Sequence, residues 1–176
     1  MIKRKINAGL SLLTTFLLLG HAISLSVWML SKGAVPKPSR VMPWALAGAT
    51  LVHALISIDL AVSAHMDNKN RKGKNYVKMN CATIIQRISG VLMMLFTALH
   101  IAGATGYMHP PKVVHAIVPA LFYTIVLAHV AVSTSKAFIT LGIGNVKFVK
   151  VVDIVIKVIC TATLIAALTG FYLYRL

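Results

Sequence analysis

Residues 81–108 read CATIIQRISGVLMMLFTALHIAGATGYM, and Arg87 is the one formal charge in the whole stretch. A helix needs about 20 mostly apolar residues to cross the hydrocarbon core of a bilayer, and this run meets that length. Four similar runs flank it, at about 6–30, 42–66, 113–141 and 151–174. The connectors carry the breakers and the charge. Gly33, Pro36 and Pro38 fall in 31–41, and DNKNRKGKN occupies 67–75. Pro110-Pro111 opens the fourth run, and Gly142-Ile143-Gly144-Asn145 closes it. The expected fold is all-α: a polytopic membrane bundle of five transmembrane helices, with residues 1–176 forming a single membrane domain.

Composition agrees with that reading. Of the 176 residues, 58% are hydrophobic and only 12% charged, and the mean hydropathy is +0.83. Soluble domains carry roughly 45–50% apolar and about 25% charged residues, so an aqueous fold of this composition lacks the polar surface to cover itself. The first run follows Lys3-Arg4-Lys5 as a signal peptide would. Its apolar stretch is longer than the roughly 7–15 residues of a signal core, so a retained span is expected rather than a cleaved leader.

The formal charge of +15 reflects 18 Lys and Arg against 3 Asp and Glu. These cations lie in short connectors rather than along one stripe or helix face, so they read as topology signals and a docking surface, not as a nucleic-acid site. An inside N-terminus collects Lys3, Arg4, Lys5, Lys69, Arg71, Lys72, Lys74, Lys78, Arg87, Lys136, Lys147 and Lys150 on the cytoplasmic side. It leaves Lys32, Lys37, Arg40, Lys112 and Arg175 outside. Because basic residues favour the cytoplasmic side, the N-terminus is expected in the cytoplasm and the C-terminus outside. Cys81 and Cys160 have no redox or metal spacing and are expected to be packed thiols.

Seven histidines carry the chemical signal. Titratable groups inside a spanning helix are costly, so they usually face the bundle interior and serve a function. His21, His53, His100 and His129 lie one each in the first four runs, whereas His65, His109 and His115 lie near helix ends. Counted from the expected ends, His21 and His100 share an outer depth, and His53 and His129 a depth nearer the cytoplasm. Two imidazoles from facing helices can ligate a haem iron from both sides, as suits electron transfer. Gly20, Gly90, Gly103 and Ala128 would let a porphyrin approach the backbone. For each histidine the alternative is a hydrogen-bonded packing residue. The two depths differ by only about 4–8 Å at 1.5 Å per residue, which counts against two haems unless they are offset sideways; two haems are expected, with one haem as the alternative.

The stretch Gln86-Arg-Ile-Ser-Gly-Val-Leu-Met-Met-Leu-Phe-Thr-Ala-Leu-His100 resembles the third helix of the five-helix cytochrome b membrane anchors of succinate dehydrogenases and fumarate reductases. That pattern runs Gln-Arg-x-Thr/Ser-Gly, then an apolar run to a ligand histidine. His53-Ala-Leu-Ile-Ser-Ile-Asp-Leu-Ala-Val-Ser63 resembles the family's second helix, and Leu10 to His21 is a weaker echo of the third. The resemblance implies haem b with His21 and His100 as axial iron ligands of the outer haem, and His53 and His129 of the inner one. It also implies a flavoprotein subunit and an iron–sulfur subunit on the cytoplasmic face of the cell's inner membrane, and electron exchange with a quinone. Two departures stand out. His129-Val-Ala-Val-Ser133 lacks the family's frequent His-x-x-Asn-Gly, and the chain contains no Glu, so no quinone-site glutamate is present.

Further expectations follow from single residues. Arg87 is the candidate cation for a haem propionate, with snorkelling to the interface as the alternative. The basic loop 69–78 suits an electrostatic partner or anionic lipid. Asp59 reads either as a proton relay or quinone contact, or as a structural bond to Ser, Thr or Lys. Asp153 and Lys157, spaced i and i+4, are expected to pair. Met93 and Met94 read as core packing. Trp28, Trp44, Tyr107, Tyr172 and Tyr174 read as packing and an interfacial belt. Two other functions stay open: a cytochrome b561-like or hydrogenase-type haem anchor with a different partner, and a haem-free transporter or scaffold.

Overall fold

In a medium without water every backbone N–H and C=O must be satisfied within the segment, and helices do this. The computed structural model describes residues 2–70, 81–108 and 112–175. Among them are five α-helices: α1 (Ile2–Leu30), α2 (Val41–Asn70), α3 (Cys81–Ala104), α4 (Lys112–Leu141) and α5 (Val146–Arg175). All five are long and apolar enough to cross a membrane. Their outer surfaces are apolar too: Leu55, Val62, Val91, Leu95, Val158 and Ile165 are exposed. This suits lipid rather than water.

Several boundaries differ from those expected, each for a local reason. α3 ends at Ala104, short of Met108, because Gly106 takes the left-handed conformation (φ 81°). Tyr107 N–H then donates to the Ala102 carbonyl at 2.9 Å, and Gly106 N–H to Gly103 at 3.3 Å. This double closure satisfies the last free carbonyls of the helix. Gly142 ends α4 in the same way, with φ 71° and Ile143 N–H donating to Phe138 at 3.2 Å. α5 starts five residues earlier than 151 because Asn145 caps it, its Oδ1 accepting from Phe148 N–H at 2.9 Å. The segment 142–145 therefore starts α5 as well as ending α4.

α1 and α4 form the centre. α1 packs on α2, α4 and α5, and α4 packs on α3 and α5. α2 rests on α1 and α3 on α4, without a substantial contact between α2 and α3. The tightest core lies between α4 and α5, where Val126, Val130, Phe138, Ile156, Cys160 and Leu164 are buried. Small residues set the close approaches. A Cβ on Gly170 of α5 would stand 3.3 Å from Met29 Cβ of α1, as expected where helices associate through backbone proximity. The buried hydroxyls of Ser26 and Thr134 are satisfied on their own helices. Ser26 donates to the Ala22 carbonyl at 2.6 Å and Thr134 to Val130 at 2.8 Å. Cys160 is buried as expected, but Cys81 is exposed at the start of α3.

The register between α1 and α2 was not foreseen. Lys3 faces Asp59, Asn7 faces Ser57, and Gly20 faces Met42. The connector 31–40 folds back along α1, with Lys37 Nζ 5.7 Å above the Trp28 ring. α2 thus begins about level with His21 rather than level with the end of α1.

Candidate functional site

Four helices bring one histidine each to a single interior cavity. His21, His53, His100 and His129 all line it, and the fifth helix contributes Ala167. The enclosed volume is about 150 Å³, below the roughly 300–1,000 Å³ of ligand pockets, so a large ligand would enter only as the surrounding side chains move apart. Leu18, Ala22, Leu46, Ala47 and Val126 make its walls apolar, and Ser11, Thr14, Thr15 and Ser133 lie at one end. Thr14 and Thr15 both turn their hydroxyls to the Ser11 carbonyl at 2.9 Å.

His21 and His100 are close enough to influence each other electrostatically, and so are His53 and His129. The spacing between pairs is larger than expected. The register of α1 against α2 puts His53 level with residues 9–11 of α1. His21 lies ten to twelve residues further along, about 15–18 Å at 1.5 Å per residue. On the other side His129 sits against Ser89 and Gly90. His100 lies ten to eleven residues further along α3, about 15 Å. The expected difference of about 4–8 Å is thereby corrected; on the α1–α2 side its cause is the fold-back of 31–40, which no count from helix ends can anticipate.

The His53–His129 pair is set in detail. Ser89 Oγ lies 3.0 Å from His129 Nδ1 and donates to the Ile85 carbonyl at 2.6 Å. Ser133 donates to the His129 carbonyl. A Cβ on Gly90 would stand 3.3 Å from His129 Cε1. His53 Nδ1 is sealed from solvent and meets no hydrogen-bond partner of good geometry among the described residues. Its ring lies near the backbone of Asn7. In the other pair the His100 ring centre lies 5.6 Å from that of Phe122, which stacks on Phe96 at 6.2 Å.

Other expectations resolve differently. Gly20 accommodates Met42, Gly90 accommodates His129 rather than neighbouring His100, and Gly103 has open space around it. Arg87 is exposed on α3 and does not line the cavity. A cation the sequence did not single out, Lys136, reaches from α4 to Gln86 Oε1 at 2.8 Å and Thr83 Oγ1 at 3.3 Å. No carboxylate among the described residues pairs with it. Asp59 forms the structural alternative, a 3.0 Å ion pair with Lys3 whose side chains are 52% and 73% exposed. Lys157 pairs with Asp153 at 2.6 Å as the spacing anticipates, and Ser135 also donates to Asp153 at 3.0 Å. Met93 lines the cavity, while Met94 is exposed. The basic loop lies outside the described residues over 71–80, as does His109.

Among the described residues no three His, Cys, Asp or Glu side chains converge on one point that could hold a bare metal ion. The arrangement is two imidazole pairs facing one apolar space. The chain is an all-helical protein whose five helices are each able to cross a membrane, which suggests a multi-pass membrane protein. Comparison with family models, curated proteins and solved structures gives no match to the chain.

Proposed function

We propose that the chain is a b-type cytochrome, the membrane anchor of a succinate dehydrogenase or fumarate reductase-like complex. The observation that carries this is the convergence of four histidines, in two levels about 15 Å apart, on one interior cavity. Haem b, when bound, would supply a one-electron carrier held by two imidazoles. His21 with His100, and His53 with His129, are the proposed ligand pairs, each drawn from two different helices. The residues present fit this group. A bare ion would need three or more converging ligands, whereas a bis-imidazole site needs two. The apolar walls keep water from the pairs. Neither Lys136 nor the exposed Arg87 lines the cavity, so neither is assigned to a haem propionate.

The partner assignment rests on the resemblance over 53–100 and on charge. We propose a cytoplasmic N-terminus, an outside C-terminus and residence in the cell's inner membrane, from the excess of Lys and Arg on one side. Flavoprotein and iron–sulfur subunits would dock at that basic end, with a quinone as the membrane-soluble electron partner. The deciding experiment is a reduced-minus-oxidised absorption spectrum of the full chain purified after expression with ample haem. Two b-type haems per chain are expected. A colourless protein would falsify the cytochrome reading, and haem without co-purifying soluble subunits would overturn the partner.

A further inference from the structure

We infer that the turn Gln86–Gly90 of α3 is a positioning device for His129, fixing its imidazole with the proton on Nδ1 so that the Nε2 lone pair faces the cavity. The argument starts from one hydroxyl. Ser89 has a single hydrogen to give, and the 2.6 Å contact to the Ile85 carbonyl takes it. At 3.0 Å from His129 Nδ1 the oxygen must therefore accept, so Nδ1 carries the hydrogen. The Gln86 carbonyl, also within reach of this ring, can only accept and so favours the same tautomer. Gly90 adds the room: any larger residue would place carbon 3.3 Å from Cε1. The hydroxyl thus sets which ring nitrogen is free, and the missing side chain sets where the ring lies. Fixing one ring nitrogen by a hydrogen bond is how histidine ligands are oriented and made better donors.

Gln86 completes the device from the other side. Its side-chain oxygen accepts from Lys136, two turns beyond His129 on α4, so one turn of α3 grips α4 at the ligand and at a cation. The Gln-Arg-x-Ser-Gly motif thereby acts on the histidine of the neighbouring helix, not on His100 of its own.

This inference rests on the cytochrome reading for its ligand, but the tautomer is measurable without one. The full chain, labelled with ¹⁵N-histidine and prepared haem-free in detergent, is examined by NMR as wild type, Ser89→Ala and Ser89→Thr, with His129→Gln to assign the resonance. The expected wild-type signal is an Nδ1–H tautomer with a bare Nε2. Ser89→Ala, which leaves only the Gln86 carbonyl, should speed exchange of that proton, and Ser89→Thr should restore it. Haem titration of the same proteins should show about a 10-fold weakening at one of two sites for Ser89→Ala, the lower end of the 10–100-fold effect of orienting groups, with recovery in Ser89→Thr. A His129 resonance unchanged in Ser89→Ala, or a proton found on Nε2, overturns the inference. A wild type that takes up no haem overturns the cytochrome reading instead, and the NMR result still decides the role of Ser89.

Discussion

Replacing Gly90 by alanine sets two effects of similar size against each other, and they separate in different assays. In a helix interior glycine is about 0.5–1 kcal/mol less favourable than alanine, so Gly90→Ala gains that much in backbone terms. The added Cβ stands 3.3 Å from His129 Cε1 and 3.7 Å from Nδ1, and the ring must yield by a few tenths of an ångström. Overpacking of a filled site costs about 1–3 kcal/mol, and so slight an intrusion belongs at the low end. The two nearly cancel in the haem-free protein, whose unfolding in detergent should change by no more than about 1 kcal/mol. They do not cancel where ring position matters. A ligand angle disturbed at His129 should weaken haem binding at one of two sites by about 10-fold, the range of second-shell perturbations, and leave the His21–His100 site untouched. Haem titration followed by absorbance reads both sites at once. Equal affinity at both sites in Gly90→Ala and wild type would refute the cradle, since the contact would then not constrain the ring.

Three other outcomes follow from the same geometry. His100→Ala and His129→Ala should each remove half of the bound haem, and loss of all haem from either variant would mean that the two levels are not independent. Asp59→Asn should change stability by less than about 1 kcal/mol, as exposed ion pairs do, and leave the haem spectrum and electron transfer unaltered; a large loss of electron transfer would restore Asp59 as a proton or quinone group. A membrane-impermeant maleimide should label exposed Cys81 but not buried Cys160, and only from the cytoplasmic side; labelling of intact cells from outside would reverse the proposed orientation.

The five spans were legible because length and apolarity alone decide them. What the sequence hid was everything that depends on how one helix slides past another. Connector 31–41, with Gly33, Pro36 and Pro38, reads as a loop that joins two helix ends. Instead Lys32 and Gly33 both take left-handed conformations (φ 52° and 80°), the chain reverses at the end of α1, and the segment runs back beside Trp28. Asn145 was visible as a helix-capping residue type, yet its neighbouring glycines drew it into the end of α4. The Ser89–Gly90 pair was in plain view too. Periodicity tied it to His100 on its own helix, because a contact across to α4 has no signature in spacing.

The fold-back of the first connector is what carries His53 away from the level of His21. Had α2 begun level with the end of α1, His53 would stand near the depth of His21, and one cavity could not offer two well-spaced pairs. Starting α2 about nine residues lower carries His53 down beside Asn7 and toward Ser89 and His129, and leaves His21 facing the first turns of α2, where Pro43, Leu46 and Ala47 line the cavity. With this shift α2 leans on α1 alone, and none of its residues 41–67 is buried. On the proposed cytochrome reading, a large apolar ligand buried between α2 and α3 would add to α2's packing on α1, at about 25 cal/mol per Å² of apolar surface where water is displaced and by direct packing contacts elsewhere, across the side on which the two edge helices make no substantial contact.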